Sequence, residues 1–337
     1  MQFGMMIGFE KSIAAQVDLA QRAEAAGIDS LWMVEAQRSA SVPLTAVAAA
    51  TSSIGLGTYV VNAYARSPWL TGIVARDLDE VSNGRMTLGI GTGNVHMNEW
   101  HQGLDSSRPL AKMRDYIEIV KAIVSAPAGG KVRHDGPVHQ SRWTATHEPV
   151  RPTIPVYMSG SGPRMISLAA EVSDGVGTGI MASPEHMRDL VRPVASAAAA
   201  SVGRSASDLA FPSGAWISAN ENRAAARAAA RFAVVGLYHP VPHPYYDRQL
   251  RQQGFAEVAD MAAELMPAGR TREAMDRVPD EVVDALTVAG TPEECAARLD
   301  DYAVVADQVV ALRVPQRHDS GEPSDYDALF QVAGHRR

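Results

Sequence analysis

Short runs rich in apolar and β-branched residues alternate with longer helical stretches along almost the whole chain, and this rhythm narrows the possible folds most sharply. Residues 3–9, 30–34, 54–61, 86–90, 154–158, 175–180, 209–218 and 308–315 read as strands. Residues 13–26, a stretch from Pro43, and residues 69–81, 109–125, 163–171, 184–201, 224–237 and 291–306 read as helices. Strand-then-helix order implies parallel pairing, because each helix returns the chain to the end where the strand began. Eight such units predict an α/β fold of the (β/α)8 TIM-barrel type, whose core takes about 250 residues. The remainder of the 337 residues fits as insertions, so a single domain over 1–337 is expected. One insertion is 126–150, with a small hairpin centred on Asp135-Gly136. The other is 237–290, which begins with prolines at 240, 242 and 244 and is filled by short helices. A doubly wound open sheet is the competing architecture, but the count of strands and the lack of a midpoint break favour the barrel.

The net charge of −7 gives no general footprint for nucleic acid or an anionic membrane, so any anionic ligand has to be held by a local site. The single cysteine, Cys295, excludes an intrachain disulfide and Cys-rich metal sites, and reads as a packed thiol. His239 and His243 have the spacing of a helical metal pair, but the prolines among them forbid that helix, so no metal is expected. The first ten residues carry no signal-peptide pattern, and no apolar run reaches the roughly 18 residues of a membrane span. A soluble cytoplasmic protein is the expectation.

In a barrel the active site is built at the C-terminal ends of the strands. Gly89-Ile90-Gly91-Thr92-Gly93-Asn94 closes the fourth strand, and its alternate glycines allow close backbone approach to a ring or phosphate. It is no dinucleotide fingerprint, since Asn94 stands where the last glycine would be, and a tight turn explains it equally well. Ser159-Gly160-Ser161-Gly162-Pro163-Arg164 leads into a proline-started helix whose free N–H groups suit a phosphate, with Arg164 either adding charge or facing solvent. Thr178-Gly179 ends the next strand. Asn62, Tyr64 and Arg66 follow strand three; Arg66 either meets a ring edge or pairs with a helix carboxylate. Glu35 ends strand two, as a buried proton relay or cofactor-orienting group, or as a solvated loop glutamate.

These residues fall into a recognisable series: Ile54-Gly55-Leu56-Gly57, Asn62, Arg66-Ser67-Pro68, Asp79-Glu80-Val81-Ser82-Asn83-Gly84-Arg85 and Leu88-Gly89-Ile90-Gly91-Thr92-Gly93. With Val156-Tyr157-Met158-Ser159-Gly160-Ser161-Gly162-Pro163, Asp174-Gly175 and Ala289-Gly290-Thr291-Pro292-Glu293-Glu294, the chain resembles the luciferase-like superfamily. It is most similar to the coenzyme F420-dependent branch that includes methylenetetrahydromethanopterin reductase. The resemblance implies a non-prolyl cis peptide at Tyr59–Val60, forming a bulge behind the deazaflavin ring. It also implies that Asn62, Gly91, Gly93 and Asn94 lie near the ring, that Gly160, Ser161, Gly162, Thr178 and Gly179 hold the phosphate, and that Glu35 is the branch's acidic residue. Relatives often carry histidine after that acid, where this chain has Ala36, and some use a glutamate proton donor where Asn94 stands. His96, Glu99 or Tyr64 is then the candidate replacement.

The implied activity is hydride transfer between F420 and a C=N or C=C group of a small-molecule substrate, in either direction, in a homodimer. Within enzymes the rival is an FMN-dependent monooxygenase; outside them it is a cofactor-binding protein without catalysis.

Overall fold

In a computed structural model, residues 1–239, 241–314 and 326–336 are described; Pro240 of the second expected insertion and Pro315 of the expected last strand lie outside them. Twelve strands appear among the described residues: β1 (Gln2–Ile7), β2 (Ser30–Met33), β3 (Gly55–Thr58), β4 (Val61–Asn62), β5 (Met86–Gly91), β6 (Lys131–Asp135), β7 (Gln140–Thr144), β8 (Val156–Ser159), β9 (Gly175–Gly177), β10 (Pro212–Ala219), β11 (Thr287–Gly290) and β12 (Gln308–Arg313). The chain divides into two compact units. One holds residues 6–177 and 194–210; the other holds 1–5, 178–193 and the described part of 211–337.

In the first unit β2, β3, β5, β8 and β9 pair side by side, all parallel. In the second, β10 lies between β11 and β12, and β12 pairs with β1, again all parallel. The fold is of the expected (β/α)8 TIM-barrel type. Some of its helices start where the sequence provides a cap. Ser67 Oγ accepts the Leu70 N–H at 3.1 Å ahead of the helix Pro68–Val81. Thr291 and Glu294 form a reciprocal capping box ahead of Pro292–Ala303. The hairpin β6–β7 forms where Asp135-Gly136 predicted it, and it covers Ile119 and Ile123 of the helix Pro109–Val124 with Val132.

Three expectations outside the third strand need correction. The strand expected at 175–180 stops at Gly177, and Thr178 keeps only an isolated parallel bridge to Ser213. The helix expected over 184–201 contains a π segment, Met187–Val191. Pro193 has no N–H to donate and the turn before it widens, with the Arg192 N–H reaching back to the Met187 carbonyl. The segment 237–290 holds four α-helices, as expected, but ends in the unexpected strand β11. The Thr287 hydroxyl donates to the Val283 carbonyl at 2.7 Å, ends the helix Asp280–Leu286, and releases three further residues to pair with β10. No helix of the described residues is long and apolar enough to cross a membrane.

Candidate functional site

Strand three, expected to run unbroken over 54–61, is interrupted. Gly57 pairs with Thr87, yet Val61 pairs with Ile90, so four steps along strand three match three along β5. The extra residue makes a bulge, and the Tyr59–Val60 peptide within it is cis, as the resemblance implied. Thr58 fills the gap in the ladder. Its Oγ1 donates to the Gly89 carbonyl at 2.8 Å and accepts the Gly89 N–H at 2.9 Å. Tyr59 turns its ring edge-on to Trp32, with centroids 5.8 Å apart, and is nearly buried.

The bulge explains the glycines of strand four. A Cβ on Gly91 would meet Val60 Cγ2 at 2.7 Å. A Cβ on Gly93 would meet the Asn62 amide carbon at 2.6 Å, and Gly93 has φ +66°, which side-chain-bearing residues avoid. Both glycines therefore turn their bare side toward strand three.

Beside the bulge lies a closed polar network. Arg66 grips Glu35 with two bonds, Nε to Oε2 at 2.9 Å and Nη2 to Oε1 at 2.5 Å, and both side chains are largely buried at 16% and 13% exposure. The Asn62 N–H also points at Glu35 Oε2, 3.4 Å away. The Asn62 side chain donates to Asn98 Oδ1 at 2.7 Å and accepts the Tyr64 N–H at 2.9 Å, while Asn98 donates to the Thr92 carbonyl. Tyr116, also nearby, shares a 2.6 Å hydrogen bond with Thr71. Burial pushes its hydroxyl above the usual tyrosine range, the neighbouring Arg66 opposing this and Glu35 adding to it.

Asn94 Oδ1 accepts the His96 N–H at 2.8 Å and fixes the turn after Gly93. His96 lies against the Trp100 ring, 4.4 Å between centroids, and its Nε2 is buried with no hydrogen-bond partner. Of the other proposed replacements, Glu99 is exposed, and the Tyr64 hydroxyl donates to the Ser106 and Ser107 carbonyls under the Lys112 ammonium, 3.8 Å from the ring. Burial lowers the Lys112 pKa, against the pull of Asp105.

The Ser159–Gly162 turn ends at Gly162, which caps the helix Pro163–Val172 with no side-chain hydrogen bond. Pro163 has no N–H and the Met165 N–H turns back to the Gly162 carbonyl at 2.9 Å, which leaves the Ser161, Gly162 and Arg164 N–H groups to suit an anion. Gly160 takes the Gly177 carbonyl at 3.0 Å, which binds the turn to β9. Arg164 is exposed and lines a cavity of about 310 Å3 between its helix and Pro109–Val124, together with Arg114 and Glu171. In the second unit Thr178 Oγ1 donates to Ser213 Oγ at 3.0 Å, and Gly179 faces Gln249 and Tyr246. Among the described residues no cluster of His, Cys, Asp or Glu has the makings of a metal site. Asn98 is the residue that sequence reasoning missed, and no spacing signal marked it. Arg66 was noticed, but its partner proved to be a strand-end carboxylate rather than a helix one.

A sequence profile described as luciferase-like monooxygenase matches residues 1–307. The 5,10-methylenetetrahydromethanopterin reductase of Archaeoglobus fulgidus is 29% identical over 296 residues, covering 86% of each chain. A putative coenzyme F420-dependent oxidoreductase of Mycobacterium tuberculosis is 30% identical over 311 residues, covering 86% of this chain and 88% of its own. The structure of the coenzyme F420-dependent tetrahydromethanopterin reductase from Methanopyrus kandleri superposes with a TM-score of 0.82 at 22% identity, covering 99% of this chain and 97% of that one. On these matches, which run over most of its length, this chain is an oxidoreductase of the luciferase-like monooxygenase family.

Proposed function

We propose that this protein is a coenzyme F420-dependent oxidoreductase that passes hydride between the deazaflavin and a C=N or activated C=C group of a small organic molecule. The observation that carries the reading is the bulged third strand at Tyr59–Val60, packed against the glycine side of strand four, at the end of the strands where barrels of this kind bind their ligands. The coenzyme F420-dependent oxidoreductase among its relatives supports the choice of cofactor. When bound, the deazaflavin supplies a two-electron hydride carrier that does not activate oxygen as a flavin does.

The residues present fit such a group. The main chain of Tyr59 and Val60, with Asn62, Gly91 and Gly93, backs the ring. The uncapped helix start at Gly160, Ser161 and Gly162 takes the phosphate. In the second unit, Thr178 and Gly179 are assigned to the phosphate by correspondence with the family motif. Glu35, held by Arg66, orients rather than relays protons.

His96 is the proton-carrying group in this reading. Addition of hydride to the carbon of a C=N or C=C bond leaves an electron pair on its neighbour, and the proton comes from His96 Nε2, which has no competing partner inside the protein. Asn94 sets the His96 backbone through its side-chain oxygen.

The test is titration of the purified protein with F420 and, separately, with FMN, followed by fluorescence. Tight F420 and weak FMN binding are expected; preference for FMN overturns the reading in favour of a monooxygenase, and binding of neither favours a protein without catalysis. Given F420 binding, His96→Gln is expected to slow oxidation of reduced F420 by imine or enone acceptors about a hundredfold and leave F420 affinity unchanged. An unchanged rate removes His96 from the mechanism. A homodimer remains part of the proposal, to be read by light scattering.

A further inference from the structure

The helix Pro244–Gln252 and the residue that follows it present two glutamines, one helical turn apart, next to the segment 178–183. Gln253 is fully used. Its Oε1 accepts the Ser183 N–H at 3.0 Å, and its Nε2 donates to the Met181 carbonyl at 2.7 Å and to the Gln249 carbonyl at 3.0 Å. Gln253 therefore ties the segment down. Gln249 is 1% exposed, and its Oε1 is buried without any donor. That oxygen looks at Gly179: a Cβ added there would lie 3.4 Å from Gln249 Oε1 and 3.4 Å from Tyr246 Cε1, in ordinary contact. A space of methyl size is thus left open between a lone buried acceptor and a residue of the family's phosphate motif.

A buried acceptor without a donor destabilises a fold, and an apolar side chain of the same length fills the site without that loss. Gln253 already supplies the tether, so the lone oxygen has no structural task in the segment. A ligand that brings a donor gives it one. Gly179, which this oxygen faces, belongs to the family's phosphate motif, and a hydroxyl of a sugar-alcohol chain ending in phosphate is a donor of that kind.

We propose that Gln249 is a ligand-binding residue whose Oε1 accepts a hydrogen bond from a sugar-alcohol hydroxyl of the cofactor chain held at Thr178 and Gly179. This rests on the reading above that Thr178 and Gly179 bind the cofactor.

The experiment compares the wild type with Gln249→Met and Gln253→Met, all as full chains. Two quantities are read: the melting temperature without ligand, and the dissociation constant for F420 by fluorescence. Gln249→Met is expected to melt at or above the wild-type temperature and to bind F420 about tenfold more weakly, the loss of one hydrogen bond. Gln253→Met is expected to melt lower. The proposal is overturned if Gln249→Met melts lower by as much as Gln253→Met, or if its F420 affinity matches the wild type. Should the wild type bind neither F420 nor FMN, the functional reading fails by itself. The melting comparison then still decides whether Gln249 supports the fold or is spare to it, and inorganic phosphate and ribitol phosphate serve as probes; equal affinity of wild type and variant for ribitol phosphate overturns the proposal.

Discussion

The end of strands β3 to β5 and the helix Pro244–Gln252 both bury polar side chains, and they differ in how those groups are satisfied. Around the bulge, Glu35, Arg66, Asn62 and Asn98 bond one another or the main chain. On the helix, Gln253 is satisfied and Gln249 keeps a lone oxygen. Closed networks make a rigid platform, since each member loses a partner if another moves. A lone buried group marks a place where the protein has left stability unrealised, and His96 Nε2 belongs with Gln249 in that respect.

The sharpest way to break the platform is Gly93→Ala. The new methyl meets the Asn62 amide and forces an L-residue into φ +66°, so a loss of about 3 kcal/mol in urea unfolding is expected. A loss below about 1 kcal/mol would mean that the turn adapts and is no platform. Arg66→Met comes next. It leaves Glu35 largely buried without its cation, and about 2 kcal/mol should go, less than for a fully buried pair because some solvent reaches both groups. In a double-mutant cycle with Glu35→Met the losses should be far from additive; additivity would show that the pair is idle.

Asn98→Ala strands the Asn62 amide and should cost about 1.5 kcal/mol, read by thermal unfolding. The smallest effect is remote from the site and depends on pH. Glu24 Oε1 accepts N–H bonds from Ser52, Ser53 and Ile54, ahead of β3. Burial works to raise its pKa, but these bonds win and lower it from 4.5 to about 2. The folded value lies below the ordinary one, so the stabilisation is present above about pH 4.5 and fades as pH falls toward 2. Glu24→Gln should therefore be about 1 kcal/mol less stable at pH 7, with partial exposure limiting the effect, and indistinguishable near pH 2. A deficit that persists at pH 2 would point to packing instead.

Some of the most specific sequence signals turned out to serve the framework. Asp79 takes two bonds from Arg151 and one from the Met86 N–H, and Arg85 donates to Ala48, Thr51 and Ile54 carbonyls or hydroxyls. Both belong to the series that identified the family, yet they hold helix and strand ends together.

Strand and helix order, the hairpin at Asp135-Gly136, the capping box at Thr291 and the family itself were determined by the sequence, because periodicity, turn chemistry and caps act over a few residues. The sequence also marked Glu35, Asn62, Gly91, Gly93, Asn94 and His96 as belonging to one end of the fold. What it did not determine is which of them have partners. The Arg66–Glu35 grip joins residues 31 apart, Asn62–Asn98 joins residues 36 apart, and Gln249, inside the second insertion, meets Gly179. Such pairings arise only when separate strands and helices pack. A side chain's freedom to act depends on which neighbours have already taken its hydrogen bonds, and that is decided by tertiary structure.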